Sequence, residues 1–319
     1  MYQGVILDGY TSDPKSVGWA RFTNLAQFTV FERTPKDKVI ERCKGADIII
    51  TNKCLFTKDV LEKLPVLKYI GILATGYNNV DLAFSRERGI VVSNVPAYST
   101  ESVVQQIIAH LLNIYCAITP LVNSVKEGKW AQSTDFCYYP SGLTELFGAT
   151  VGIIGYGRIG RRVSEVLTAL GLKVLVYNKG KTYEVQRNVA YALTLDELYA
   201  KSKAIILACP LTADNTGMVN ADSIAKMQDG TVIINTARGG LLNEQDVAEA
   251  LNAGKLAALG ADVLSAEPPL SSNPLLTAKN TYITPHTAWA TEQARARLIE
   301  VAYKNCEAFL NGTPQNKVN

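Results

Sequence analysis

The stretch Val151-Gly152-Ile153-Ile154-Gly155-Tyr156-Gly157-Arg158-Ile159-Gly160 limits what this chain can fold into more than any other. An apolar run enters a G-x-G-x-x-G turn, and Val163, Val166, Leu167 and Leu170 then recur at helical spacing. Strand, glycine turn and helix in that order open a parallel βαβ unit. Gly155 lets the chain turn tightly, Gly157 lets backbone amides approach a ligand, and Gly160 lets helix and strand pack closely. The helix N-terminus offers free N–H groups and a positive dipole end to an anion, here the pyrophosphate of a dinucleotide. Cofactor contacts are accordingly expected at Gly155, Gly157, Arg158, Ile159 and Gly160.

Short apolar runs alternate with helical patterns along the rest of the chain, which predicts parallel sheets covered on both faces. A first strand series is expected at Val5–Asp8, Phe28–Phe31, Ala46–Thr51, Tyr69–Ala74 and Ile90–Asn94. A second is expected at Thr150–Gly155, Lys173–Asn178, Lys203–Cys209, Thr231–Thr236, Ala257–Asp262 and Thr281–Thr284. Between them, Ser99-Thr100-Glu101 offers a helix start. Val103, Val104, Ile107, Ile108, Leu111, Leu112 and Tyr115 then mark a long, largely buried helix over about residues 100–118. Residues 127–147 read as a loop anchored by Trp130, Phe136, Tyr138 and Tyr139, and a final helix runs from near Thr291 to Asn311-Gly312. At 319 residues the chain is long enough for two domains.

Net charge is +3 and no run of five basic residues occurs, so nucleic-acid binding gets no support. No stretch approaches the roughly 20 apolar residues of a membrane span, and the N-terminus reads as a strand rather than a signal peptide. Six cysteines without CxxC pairing or metal-ligand spacing read as buried free thiols in a reducing compartment, implying a cytoplasmic protein with no bound metal.

Asn178 lies eighteen residues past Gly160, where the second strand of a dinucleotide unit meets the adenosine ribose. A carboxylate there favours NAD(H). This chain has Asn178-Lys179-Gly180-Lys181 instead, with no charge to repel a 2′-phosphate and two lysines to attract it. NADP(H) is mildly favoured. NAD(H) remains the alternative, with the lysines then merely solvated.

Only two histidines occur. His110 falls inside the long helix and reads as a packed or polar-face residue. His286 follows Pro285 at the end of a strand, where open α/β sheets place ligands and where an imidazole can exchange a proton near neutral pH. Asn235-Thr236-Ala237-Arg238-Gly239 and Ala261-Asp262-Val263 with Glu267-Pro268 stand at two further strand ends.

Together these motifs, with Cys209-Pro210-Leu211-Thr212, resemble the D-isomer-specific 2-hydroxyacid dehydrogenases over nearly the full length. Ala74-Thr75-Gly76-Tyr77-Asn78, Phe136-Cys137-Tyr138-Tyr139 and Trp289 are most similar to the glycerate dehydrogenase and hydroxypyruvate reductase group. The resemblance implies a catalytic set of Arg238, Glu267 and His286. Arg238 would bind the substrate carboxylate and C2 oxygen, His286 would give and take the proton, and Glu267 would hold the imidazole. Ala74, Thr75, Gly76, Tyr77 and Trp289 would contact substrate. Val103, Lys179, Cys209, Pro210, Thr236, Ala237, Arg238, Asp262 and His286 would join Asn178 and the glycine turn around the cofactor, with Asp262 orienting the nicotinamide carboxamide.

The same resemblance implies two doubly wound parallel-sheet domains with the active site in the cleft between them. A flavodoxin-like substrate domain would comprise residues 1–98 completed by 288–319, and a Rossmann cofactor domain residues 99–287. It also implies a homodimer in which the helix around Val103–Tyr115 packs against its twin. A small 2-keto or 2-hydroxy acid is the expected substrate, most simply hydroxypyruvate or glyoxylate. Two alternatives stay open: a D-lactate-type enzyme, since Gly76-Tyr77-Asn78-Asn79-Val80-Asp81 resembles its substrate turn, and a non-enzymatic dinucleotide-sensing scaffold.

Overall fold

Segments such as Ile48-Ile49-Ile50 and Ile233-Ile234 are apolar at consecutive positions and wholly buried, as strands covered on both faces must be. The computed structural model describes residues 1–13, 15, 18–140, 142–180 and 182–319. These form two compact units, Met1–Ser99 with Trp289–Asn319, and Thr100–Ala288. The helices in chain order are α1 Gly9–Ser12, α2 Val39–Cys43, α3 Lys58–Leu61, α4 Leu82–Glu87, α5 Thr100–Tyr115, α6 Ile118–Lys126, α7 Arg158–Ala169, α8 Leu195–Lys201, α9 Ala221–Ala225, α10 Glu244–Ala253 and α11 Glu292–Leu310.

The first unit holds a five-stranded sheet of β1 Gln3–Ile6, β2 Gln27–Val30, β3 Ile48–Thr51, β4 Tyr69–Ile72 and β5 Val91–Ser93. The order is β2-β1-β3-β4-β5 with every pair parallel, the doubly wound flavodoxin-like arrangement. α11 belongs here: Leu298, Ile299, Ala302 and Cys306 bury against Trp19, Phe22 and Tyr69, and Phe309 stacks on Tyr69 at 4.7 Å. Its first turn is capped by Thr291, whose hydroxyl accepts from the Ala294 amide. The C-terminal residues run along β5, where the Val318 amide donates to the Val92 carbonyl, and so cover an otherwise open sheet edge.

The second unit holds β6 Thr150–Ile154, β7 Lys173–Tyr177, β8 Val189–Tyr191, β9 Ala204–Leu207, β10 Thr231–Asn235, β11 Leu256–Ala261 and β12 Thr281–Ile283. The order is β12-β11-β10-β9-β6-β7-β8, again all parallel. Strand order reverses between β6 and β9, and the glycine turn leaves β6 at that switch point. β8 was not expected from the sequence. It is a three-residue edge strand whose Val-Ala-Tyr lacks an apolar run long enough to announce it.

The predicted long helix is present as α5, and a second helix that the sequence did not announce follows it. α5 stops at Tyr115, Ala117 takes a left-handed φ of 49°, and α6 continues at 61° to it. Val103, Val104, Ile107, Leu111 and Tyr115 are buried in the core of their own unit. These five are therefore not the side chains available to a twin helix, whereas Ile108, Leu112 and Ile114 of α5 are only half-buried. Exposed apolar side chains follow one another on α6, at Ile118, Val122 and Val125, and on the segment after it, at Trp130, Phe136, Tyr139 and Phe147, with others such as Leu193 and Leu270 scattered elsewhere. The cysteines also differ from the uniform burial expected. All six are free, but Cys116 and Cys137 are exposed, because they sit at the α5–α6 bend and on the loop beyond. Among the described residues no single helix is long and apolar enough to cross a membrane, and no three His, Cys, Asp or Glu gather to hold a metal.

Candidate active site

The glycine turn divides its work as the spacing predicts. Gly155 has φ 99°, and a Cβ there would lie 2.7 Å from the Ala208 carbonyl, so this position admits only glycine. A Cβ on Gly160 would sit 2.1 Å from the Gly155 oxygen, so the first turn of α7 packs directly on the loop. Around Gly157 nothing lies within 4 Å of the added carbon. No protein neighbour requires glycine at Gly157, and the space it leaves in front of the helix N-terminus suits a pyrophosphate. A nicotinamide dinucleotide therefore fits the residues present.

Asn178 follows the last residue of β7, and its Oδ1 accepts the Tyr156 amide at 2.8 Å. The side chain is thereby fixed to the glycine turn. Lys179 is paired with Asp214 at 3.2 Å, both strongly exposed. Asp214 belongs to the 3-10 turn Ala213–Asn215 that follows Cys209 and Pro210, and nothing in the linear sequence linked it to Lys179. Lys181 lies outside the described residues. Cys209 is half-buried, and desolvation pushes its thiol up from the usual range, which leaves it a packing group. Val103 is committed to the hydrophobic core at 7% exposure.

His286 Nδ1 lies 2.5 Å from Glu267 Oε2. A carboxylate only accepts, so Nδ1 carries the proton of this bond. Glu267 Oε1 meanwhile accepts the Leu264 amide at 3.1 Å. His286 itself has φ 53°, a left-handed conformation that a bulky side chain rarely adopts, and its amide donates back to the Thr284 carbonyl. What holds it there is Asp262, 1% exposed at the end of β11. Its Oδ1 accepts from the Thr284 hydroxyl at 2.6 Å and the Thr287 amide at 2.9 Å, and its Oδ2 accepts from the Ala288 amide at 2.8 Å. Asp262 thus pins the chain on both sides of His286.

Arg238 stands at the end of the loop after β10, exposed, with its guanidinium donating to the Ala237 carbonyl. Asn235 shapes this loop by accepting from the Ala237 amide and donating to the Arg238 carbonyl. Gly239 seats it: a Cβ there would fall 1.9 Å from the Leu264 backbone, so the arginine loop lies directly on the segment leading to Glu267. Thr236 and Ala237 are half-buried on the same loop.

In the other unit, the turn after β4 is held by its carbonyls. Asn94 Nδ2 donates to the Thr75 oxygen, and the Val95 amide donates to the Ala74 oxygen. The amides of Thr75, Gly76 and Tyr77 donate to no acceptor among the described residues, which leaves a run of N–H groups of the kind that receives an anion. Trp289 packs edge-on against Tyr98 at 6.3 Å and is half-buried in its unit's core.

With the geometry laid out, relatives can be compared. The sequence profile of the D-isomer specific 2-hydroxyacid dehydrogenase NAD binding domain matches residues 108–288. The hydroxypyruvate reductase of Blautia hydrogenotrophica is 45% identical over 99% of this chain and 99% of its own length. The chain belongs to the D-isomer specific 2-hydroxyacid dehydrogenase family. The fold agrees with solved members. D-lactate dehydrogenase from Aquifex aeolicus, complexed with NAD and lactic acid, superposes with a TM-score of 0.85 at 30% identity, covering 98% of this chain and 96% of that one. An acyclic imino acid reductase in complex with NADPH gives 0.86 at 27% identity over 99% and 100% of the two chains. The chain is therefore a dehydrogenase that uses a nicotinamide dinucleotide. Residues that sequence reasoning missed are Thr284, Gln106 and Asp214, whose only signal is proximity in the fold.

Proposed function

We propose that this dehydrogenase reduces hydroxypyruvate and glyoxylate to D-glycerate and glycolate with NAD(P)H. The observation that carries the reading is the 2.5 Å pair between His286 and Glu267, beside a pinned, left-handed backbone. The dinucleotide supplies a hydride to the C2 carbonyl carbon. Glu267 holds Nδ1–H, which leaves Nε2 to donate a proton to the developing alkoxide and to recover it in the oxidation direction. Arg238 presents a planar, permanently charged fork to the substrate carboxylate and C2 oxygen. The amides of Thr75, Gly76 and Tyr77 receive the carboxylate. Substrate choice follows the hydroxypyruvate reductase relative, whose likeness covers the whole chain.

For the cofactor, the uncharged Asn178 admits NADPH and Lys179 favours it, while Asp214 offsets much of that lysine's charge. The preference for NADPH is therefore small. Residues 1–98 with 288–319 act as the substrate domain and 99–287 as the cofactor domain. The protein works as a homodimer, with α6 and the side chains of Trp130, Phe136, Tyr139 and Phe147 at the interface, since apolar groups are exposed in succession there. Six free thiols suit the cytoplasm.

The test is kcat/KM for hydroxypyruvate, glyoxylate, pyruvate and larger 2-keto acids with NADH and NADPH. Hydroxypyruvate is expected to lead. Pyruvate in first place would favour the D-lactate-type reading. Dinucleotide binding without turnover of any 2-keto acid would favour a sensing scaffold.

A further inference from the structure

Beneath the segment that carries His286 lies a part-buried polar cluster with no part in the chemistry described above. Gln106 and His110 stand one turn apart on α5. Gln106 Nε2 is 3.2 Å from His110 Nε2 and 3.2 Å from the Thr284 hydroxyl, and His110 Nε2 is 3.4 Å from that hydroxyl. Thr284 in turn donates to Asp262. His110 is 5% exposed, and the sheet makes room for it: a Cβ on Gly260 of β11 would fall 2.9 Å from His110 Cβ. An apolar trio would fill this space more cheaply, since buried polar groups need complete partnering.

The contacts fit an assignment in which every donor meets an acceptor. Thr284 has a single hydroxyl proton, and its shortest contact is to the Asp262 carboxylate, so it donates there. Gln106 then spends its two amide hydrogens on the Thr284 oxygen and on His110 Nε2. In that arrangement His110 is a neutral acceptor with its proton on Nδ1. Burial acts in the same direction, lowering the tendency of this imidazole to take a second proton. Every donor faces an acceptor along Gln106, Thr284 and Asp262, and Asp262 ends the chain by holding the amides of Thr287 and Ala288 on the far side of His286.

We propose that Gln106 and His110 are positioning residues for His286, acting through Thr284 and Asp262 to hold segment 284–288, with its left-handed residue His286, in register with Glu267. This deepens the reading of His286 as the proton donor and rests on it. Gln106, His110 and Thr284 act from behind Asp262, and together they set where Nε2 stands. Loosening it costs turnover, because a displaced general acid is penalised steeply, while ground-state binding is left alone.

The experiment compares Thr284→Val and Gln106→Met with Thr284→Ser, measuring kcat, KM, dinucleotide Kd by fluorescence, melting temperature and ring NMR of the two histidines. Thr284→Val and Gln106→Met are expected to lower kcat on the order of tenfold with KM and dinucleotide Kd within about twofold of wild type. Thr284→Ser restores the hydroxyl and most of the turnover. The His286 ring signal shifts or broadens in the first two variants and not in the serine variant. If both disruptive variants keep wild-type kcat and an unchanged His286 signal, even with a lowered melting temperature, the cluster is a packing feature and the proposal fails. If His286→Ala keeps its turnover, the reading of His286 as proton donor has failed instead. Should Thr284→Val not fold, Gln106→Met decides, because it keeps volume and removes the amide.

Discussion

Replacing Asp214 by asparagine leaves Lys179 without its carboxylate neighbour and so tests how this chain distinguishes its two possible cofactors. The pair is 3.2 Å apart, with side chains 80% and 77% exposed. Water screens such charges, so a contact between Lys179 and a 2′-phosphate contributes about 1 kcal/mol or less, roughly fivefold in affinity. With Asp214 beside it much of that is cancelled, and wild-type preference for NADPH is expected at about two- to threefold. Asp214→Asn should raise it to about five- to tenfold, with NADH affinity unchanged. Asn178→Asp should act in the other direction and more strongly. The new carboxylate still accepts the Tyr156 amide, so the turn is preserved. A like charge about 4 Å from a phosphate bearing roughly 1.5–2 negative charges costs about 1.5–2 kcal/mol in water, some 10–30-fold against NADPH. The assay is Kd for each dinucleotide by fluorescence titration at low and high salt, with kcat/KM beside it. Both shifts should shrink as salt rises. If neither substitution moves the NADPH to NADH ratio, this loop does not meet the 2′-phosphate and the reasoning fails.

His286→Ala should lower kcat by roughly two to four orders of magnitude with dinucleotide Kd nearly unchanged, and wild-type turnover in that variant would remove the proton-donor assignment. Gly157→Ala places a methyl in space that no protein atom fills, so melting temperature should hold while dinucleotide affinity falls; equal affinity would mean the pyrophosphate does not lie there. His110 titrates below its ordinary value of 6.5 in the folded chain. Below about pH 6.5 the unfolded chain therefore binds more protons than the folded one, and stability falls as pH drops through that window. His110→Gln should flatten the decline in melting temperature below pH 6.5, and an unchanged slope would contradict the assignment. Val122→Asp with Phe136→Ser should shift light scattering from dimer to monomer, whereas a monomeric wild type would refute the assembly.

The alternation of apolar runs and helices, the glycine turn and the strand-end residues Arg238, Glu267 and His286 were legible in the linear chain. Each depends on local rules: strand length, helical spacing, and the backbone freedom of glycine beside a phosphate. Strand ends drifted by one or two residues, since pairing partners rather than composition terminate a strand. β8 escaped because an edge strand of three residues is made by its neighbour β7 and not by its own sequence. The destination of an apolar face was also beyond the sequence. Val103–Tyr115 reads as a partner surface, and only the packing of α5 within its own unit assigned Val103, Val104, Ile107, Leu111 and Tyr115 to the core. The same holds for Asp262, Gln106 and Lys179. A carboxylate that grips three groups 22 to 26 residues away, an amide on α5 that reaches 178 residues to a threonine, and a lysine that meets an aspartate 35 residues on are contacts of strand ends with loops and with a covering helix. Such contacts exist only once a parallel sheet brings successive C-terminal ends to one edge, because residue types along a chain encode what a group can bond to and the fold decides which partner arrives.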